Sequence, residues 1–219
     1  MGSSETTVAS SRSSRGRRAA RISSDEREAA ILRTAEQLLQ ERPLADISVD
    51  DLAAGAGISR PAFYFYFPSK DAVVLTLVDR LVEGANQAKE GALDRFVADP
   101  AAGWRQVIQI FYEVLGAHRA VIRAAMELSA TNGEARELRS QVTEGWVQAV
   151  TERIEEEHKR GAATGELPAR DLATALVQMN ERAMLAVFAE ESPAVSEERL
   201  VDVLCEIWLN AIYGGSQAA

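Results

Sequence analysis

Apolar residues recur at helical spacing along almost the whole chain. Ile31, Leu32, Ala35, Leu38 and Leu39 share one face and predict a first helix near 24–41. Ser23 and Glu26 have the spacing of a capping box at its start, and Pro43 stops it. Ser48, with Asp51 three residues on, opens a short second helix through Ala54. Gly55-Ala56-Gly57 reads as a turn. Ser59 caps a third helix with Pro61 in its first turn, where a missing N–H costs nothing, and this helix ends near Phe67-Pro68. Ser69 caps a fourth, whose stripe of Val73, Val74, Leu77 and Leu81 runs past residue 80. After a break at Asp99-Pro100, helical patterns follow at about 101–117, 118–130, 134–161, 168–190 and 196–214. Asn132-Gly133, Gly161 to Pro168 and Ser192-Pro193 separate them. No run alternates with the period of a strand. The expected fold is all-α, with about nine helices in two blocks.

The stretch Ser48 to Lys70 holds two short capped helices joined by a glycine turn. Leu52, Ala53, Ala56, Ile58 and Phe63 are spaced to form a small core that fixes their crossing, which is the pattern of a helix-turn-helix. Its second helix carries five consecutive aromatics, Phe63 to Phe67, so rings point to every side. Phe63 and Phe67, four apart, can share the buried face. Tyr64 then faces elsewhere, where a phenol can donate to a phosphate. Lys70, at the start of the next helix, can build an anion site with the helix N-terminal amides. The plainer alternative makes Tyr64 and Tyr66 packing residues and Lys70 a solvated charge.

Charge distribution matters more than the total of −9. Residues 1–24 contain Arg12, Arg15, Arg17, Arg18 and Arg21 against Glu5, a local +4, leaving −13 for the rest of the chain. A basic arm can meet phosphates although the whole protein is acidic. Its Ser/Gly/Arg composition lacks apolar surface to bury, so residues 1–22 are expected to be disordered when unbound, with Arg15, Arg17 and Arg18 as DNA contacts. The expected domains are that arm, a helix-turn-helix domain at 23–70, a connecting helix at 71–98 and a C-terminal domain at 99–219. No stretch reaches the roughly 18 apolar residues of a membrane helix, and no apolar run follows the N-terminal arginines as in a secretory signal. The one cysteine, Cys205, sits among apolar residues as a core thiol. With two separated histidines there is no zinc spacing. Together these features point to the cytoplasm, with no metal and no cofactor.

In the C-terminal block, Trp104, Ile108, Phe111 and Leu115 fall on one helical face, and Thr143, Trp146, Val150 and Ile154 on another. Such stripes are ordinarily core. The exception is polarity among apolar residues: Asn180 shares a face with Leu176, Val177, Met184 and Val187, and Glu181 follows it. A buried amide or carboxylate needs a partner, and a cavity with one or two polar groups suits a mainly apolar small molecule with a single polar anchor. Leu172, Leu176, Met179 and Ala183 form one further stripe, and Leu200, Val203, Ile207 and Ala211 another. Apolar residues on more than one side of a helix call for a second partner, so the last two helices are the expected homodimer contact. For an enzyme, the chain offers no nucleophile with its base and no phosphate-cradling glycine loop. Glu155-Glu156-Glu157 reads as a solvated charge run, and His118 and His158 sit in no motif. A helical adaptor that never touches DNA is the other reading, and the Tyr64–Lys70 constellation argues against it.

That constellation, a glycine turn, Ile-Ser, the Tyr-Phe-Tyr-Phe run and Ser-Lys-Asp, resembles the signature of the TetR family of transcriptional regulators, continuously from about Leu52 to Leu75. The resemblance implies that Ser48, Ser59, Arg60, Pro61, Ala62, Tyr64 and Lys70 face double-stranded DNA. Phe65 departs from the pattern, standing where the family often has a polar residue or histidine, and points to apolar contact with thymine methyls. The segments ADISVDDLA, ISRPAFYFYFPSK, Trp104–Phe111, MNER and Trp208–Tyr213 resemble one mycobacterial branch of the family over nearly the whole chain. There, positions matching Trp104, Phe111, Trp146, Asn180, Glu181 and Trp208 line an elongated tunnel, which adds Ile108, Leu115, Val150 and Met184 as expected neighbours. Leu115 and Ala149 are small or aliphatic departures, so the identity of the ligand does not carry over. The resemblance implies a repressor that binds a palindromic operator as a dimer and is released by a hydrophobic molecule; an activator, or a regulator without an effector, is the alternative.

Overall fold

The computed structural model describes residues 11–90, 99–163 and 165–214, with side chains from Ser24 onward and none at 85–90. Among the described residues there are nine α-helices and no strand. The chain divides into two units between Val74 and Leu75.

The first unit contains α1 (Ser11–Glu41), a short 3-10 turn (Leu44–Asp46), α2 (Val49–Gly55), α3 (Arg60–Tyr66) and the first turn of α4 (Lys70–Glu90). Helix α1 does not start at Ser23. It begins at Ser11, so the backbone of residues 11–22, expected to be disordered, is helical. Alanine and arginine are strong helix formers and no proline interrupts the stretch, so the helix runs straight through the capping sequence. The side chains of Arg15, Arg17 and Arg18 lie outside the described residues. The capping expectation holds at α2, where Ser48 and Asp51 make both bonds of the box. At α3 the Ser59 hydroxyl accepts from Ala62 N at 3.4 Å, and at α4 the Ser69 hydroxyl accepts from Ala72 N at 3.1 Å.

Ile31, Leu32, Leu39, Leu52, Phe63, Phe67, Val73 and Val74 are buried and form this unit's core. The two turn glycines have different reasons. Gly57 sits at φ +69°, a conformation that side chains resist. At Gly55 a Cβ would stand 2.3 Å from Thr34 Cγ2, so glycine is what lets α2 lie against α1.

The second unit packs the remainder of α4 with α5 (Pro100–Ala117), α6 (Arg119–Thr131), α7 (Gly133–Lys159), α8 (Ala169–Phe188) and α9 (Leu200–Tyr213). Asp99 and Asn132 cap α5 and α7 by accepting from Ala102 N at 3.0 Å and Ala135 N at 3.1 Å. Trp104, Ile108, Val150, Ile154, Met184 and Trp208 meet in one core, with the Trp104 and Trp208 rings 5.3 Å apart.

Two polar groups are built into that core. Asn180 Oδ1 accepts from Trp208 Nε1 at 2.9 Å, wholly buried. Glu157 is fully buried yet paired with Arg153 at 3.2 Å and Arg160 at 2.8 Å. The expected solvated run of Glu155 to Glu157 therefore splits: Glu155 and Glu156 are exposed, and Glu157 turns inward to two arginines. Trp104 Nε1 donates to Tyr213 Oη at 3.0 Å. Burial, with Glu157 nearby, pushes the Tyr213 phenol up to about 12.

Candidate functional site

On the first unit, α3 supports two faces. Phe63 and Phe67 point inward with their rings 6.1 Å apart. Ser59, Arg60, Pro61, Tyr64 and Phe65 are exposed, Ala62 is half-buried, and Phe65 is 82 % exposed. An aromatic ring left almost entirely in water beside a buried twin is unusual, because aromatic burial contributes much to a core. Arg60 donates to Asp50 Oδ2 at 2.5 Å and to Tyr64 Oη at 3.4 Å, so it lies along the α2–α3 surface. Asp51 is held below the usual carboxylate range by Ser48, first through its backbone N–H and then its hydroxyl, with Arg42 adding to the effect.

Ser48, Tyr64 and Lys70 line one open hollow of about 400 Å³ beside the 3-10 turn. The structure gives Lys70 a role that neither sequence reading contained. Its ammonium donates to Leu44 O at 2.7 Å, Ile47 O at 2.8 Å and, more weakly, Ala45 O at 3.4 Å. It clamps the carbonyl ends of the turn that precedes α2, and its side chain is half-buried rather than solvated. The seven residues expected on the first unit's surface thus sit together around α3, with Lys70 tied inward.

On the second unit, a cavity of about 110 Å³ opens among α4, α5, α6, α7 and α8. Phe111, Leu115, Trp146 and Glu181 line it, as the sequence suggested. Trp104, Ile108, Val150, Asn180, Met184 and Trp208 belong to the packed core instead and are not among the residues lining this cavity. The reason is local. Asn180 and Trp208 satisfy each other, which closes the polar feature that singled out Asn180. Residues that the sequence reading passed over complete the wall: Leu75, Val78, Ile122, Met126, Leu138, Arg139, Val142 and Leu185. A second hollow of about 70 Å³ shares Phe111, Leu115, Ile122, Val142 and Trp146 and continues along Leu81 and Val82. Phe111 and Trp146 meet edge to face at 4.3 Å.

Arg139 had a visible signal. It lies four residues before Thr143 and seven before Trp146, on the apolar stripe of α7, and a charge there needs a partner. The partner is Glu181, at 3.1 Å. The stripes expected to dimerise also divide. Leu172, Leu176 and Leu200 are buried within the chain, while Met179, Ala183, Val203 and Ala211 are half-buried and Ile207 is 41 % exposed.

Among the described residues no helix is long and apolar enough to cross a membrane. Comparison with known proteins then bears on both units. Residues 31–77 match the family described as bacterial regulatory proteins, tetR family. Residues 104–214 match that described as transcriptional regulator EthR, C-terminal domain. The chain is 53 % identical over 212 residues to the HTH-type transcriptional regulator EthR of Mycobacterium tuberculosis, covering 95 % of this chain and 98 % of that one. It is 49 % identical over 209 residues to EthR of Mycolicibacterium smegmatis, covering 95 % and 96 %. Among solved structures it is similar in fold to a putative transcriptional regulator of Saccharomonospora viridis in complex with choline, with TM-score 0.73 and 22 % identity over 86 % of this chain and 98 % of the other.

Proposed function

The chain belongs to the TetR family of bacterial DNA-binding transcriptional regulators, in the branch with an EthR-type C-terminal domain, and on that premise we propose that it is a cytoplasmic repressor that binds a palindromic operator as a homodimer and lets go when a hydrophobic small molecule enters the second unit. The observation that carries the DNA part is the exposed face of α3. Ser59, Arg60, Tyr64 and Phe65 offer hydroxyls, a guanidinium and a bare ring on one short helix of a helix-turn-helix. Hydroxyls and the guanidinium suit phosphates, which position the protein; the ring suits a thymine methyl, which carries sequence. The hollow that Ser48, Tyr64 and Lys70 share is a natural phosphate seat, with Lys70 supplying charge while its hydrogen bonds hold the turn. The dimer contact we assign to Met179, Ala183, Val203, Ile207 and Ala211, apolar positions that the chain's own packing leaves partly uncovered.

Release follows from connectivity. Helix α4 begins at Lys70 in the first unit and carries Leu75 and Val78 to the cavity of the second. A ligand that wedges against those residues shifts the protein only as far as it prefers the DNA-incompetent arrangement, since equal affinity for two states moves nothing.

The test is a gel-shift and footprint series on the DNA flanking the protein's own gene, at several salt concentrations. Wild type is expected to protect a two-fold symmetric site. Arg60→Ala and Tyr64→Phe are expected to weaken binding by about 1 kcal/mol each, with Arg60→Ala flattening the salt dependence by about one phosphate's worth. Binding that leaves both variants indistinguishable from wild type refutes the assignment of α3.

A further inference from the structure

The cavity of the second unit is apolar except at one edge, where Arg139, Thr143 and Glu181 meet. Those three residues also line a separate, solvent-open cleft of about 540 Å³ between α7 and α8. The Arg139–Glu181 ion pair therefore stands on the boundary between a greasy pocket and water. Its two members are unequal. Glu181 is 20 % exposed and set on α8, while Arg139 is 52 % exposed and reaches across from α7. The contact runs through Arg139 Nε to one carboxylate oxygen, not through the two-pronged geometry in which arginine grips a carboxylate most firmly. Arg139 is thus the partner that water can take back cheaply. Glu181, once deprived of it, is a carboxylate at the rim of an apolar space.

The same cavity is also lined by aromatic rings. Phe111 and Trp146, in edge-to-face contact at 4.3 Å, both line it. A carboxylate at the rim of an apolar, ring-lined space suits a molecule with a cationic head and an apolar body, because the carboxylate supplies a full charge and the rings cover the body. We propose that this cavity takes a lipophilic amine, with its ammonium on Glu181 in place of the Arg139 guanidinium and its apolar body among Phe111, Leu115, Val142 and Trp146. The Arg139 side chain is then a built-in competitor that occupies the anchor when no ligand is bound and swings to solvent when one is. An anionic head group fits less well, because Glu181 would oppose it and is the less exposed of the pair.

This inference rests on the reading of the second unit as a ligand sensor, and the experiment separates the two. The full-length protein is titrated by calorimetry at about pH 7, where an alkylammonium is cationic like a lysine side chain. The probes are n-hexylamine, 1-hexanol and hexanoate, which share a chain and differ in the head. Hexylamine is expected to bind about tenfold more tightly than hexanol, the ratio equivalent to about 1.4 kcal/mol. Glu181→Gln should remove most of that advantage and leave hexanol unchanged. Arg139→Gln, which takes away the competitor without touching the anchor, should strengthen hexylamine binding several-fold and hexanol binding little. Equal binding of amine and alcohol, or amine binding indifferent to Glu181→Gln, overturns the cationic anchor while the sensor reading stands. Preferred binding of hexanoate, lost in Arg139→Gln, overturns it in favour of an anion. If none of the three binds, the sensor reading of this cavity falls and the amine proposal falls with it.

Discussion

Phe65 and Asn180 both sit against the ordinary rule of apolar inside and polar outside, and the rest of the molecule treats them in opposite ways. Phe65 is a ring 82 % in water on α3, and Phe63 and Phe67 already fill the core beneath it. Asn180 is an amide 3 % exposed on α8, and Trp208 donates to it at 2.9 Å. The first residue is exposed surplus for a partner; the second is completed inside the chain. A residue out of place thus signals a binding site only when nothing in the same chain completes it. By that criterion Phe65 points to a partner outside the chain and Asn180 does not, while Glu181 stands between them, paired at 3.1 Å but only through one contact to a more exposed arginine.

The comparison can be broken most sharply in the core of the second unit. Glu157 is fully buried between Arg153 and Arg160. Deleting one partner of a buried ion pair leaves charge without compensation, which costs about 3–5 kcal/mol. Glu156 also pairs with Arg153, at 2.6 Å, and keeps a hold on it, so Glu157→Ala should fall near the lower end, about 3 kcal/mol. Urea unfolding of the full-length protein reads this directly. A loss below about 1 kcal/mol, the range of a surface pair, would show that the inward turn of Glu157 is unimportant.

The fold was largely legible because local signals and the apolar period agreed. Ser48, Ser59 and Ser69 announced three helix starts, and the stripes through Trp104 and Val150 announced the core. Ser23 misled because a capping sequence competes with helix propensity, and arginine and alanine on its N-terminal side favoured continuation. The candidate site was legible on α3, where five aromatics in a row exceed what one buried face can hold. It was half legible in the second unit. A stripe states which face is inward, but not whether three dimensions leave it packed or hollow. Trp104 and Trp208 close on each other, whereas Phe111 and Trp146 border open space. The pairing of Arg139 with Glu181 joins residues 42 apart in sequence, a separation that no local period encodes.

Asn180→Leu comes next in size. The leucine fills a buried site but leaves the Trp208 indole N–H without its acceptor, at a cost of about 1–3 kcal/mol. The expected outcome is a clearly lowered melting temperature, with hexanol binding to the cavity preserved in the folded fraction. Unchanged stability, together with altered ligand response, would return Asn180 to the ligand site and undo the contrast with Phe65.

A pH series tests the same core more gently. The Tyr213 phenol is pushed up to about 12, chiefly by burial, from an ordinary value of 10.0. The folded protein therefore keeps its proton over a range in which the unfolded chain has lost it. Stability is fully present below pH 10 and declines as pH rises from about 10 towards 12. Tyr213→Phe should remove Tyr213's share of that decline, so its stability curve should be flatter than that of wild type over the same window. Identical slopes would mean that Tyr213 is not held neutral by the fold.

Phe65→Ser is the smallest of these changes in stability and the most selective in function. The ring is 82 % exposed and its aromatic contact is with Tyr66, at 5.3 Å and near a right angle. Its removal should therefore stay within about 0.5 kcal/mol of wild type, as for an ordinary surface position. Operator binding should suffer more. If the ring packs on a thymine methyl, replacing that thymine by uracil removes the same contact from the DNA side. The two changes together should then cost no more than either alone, whereas independent effects would add. A gel-shift cycle with wild type and Phe65→Ser on thymine and uracil operators measures the coupling. Coupling at one position in each half-site identifies the base pair that Phe65 reads. Additive losses at every position would leave the ring as a general contact with the groove wall and remove the base readout assigned to α3.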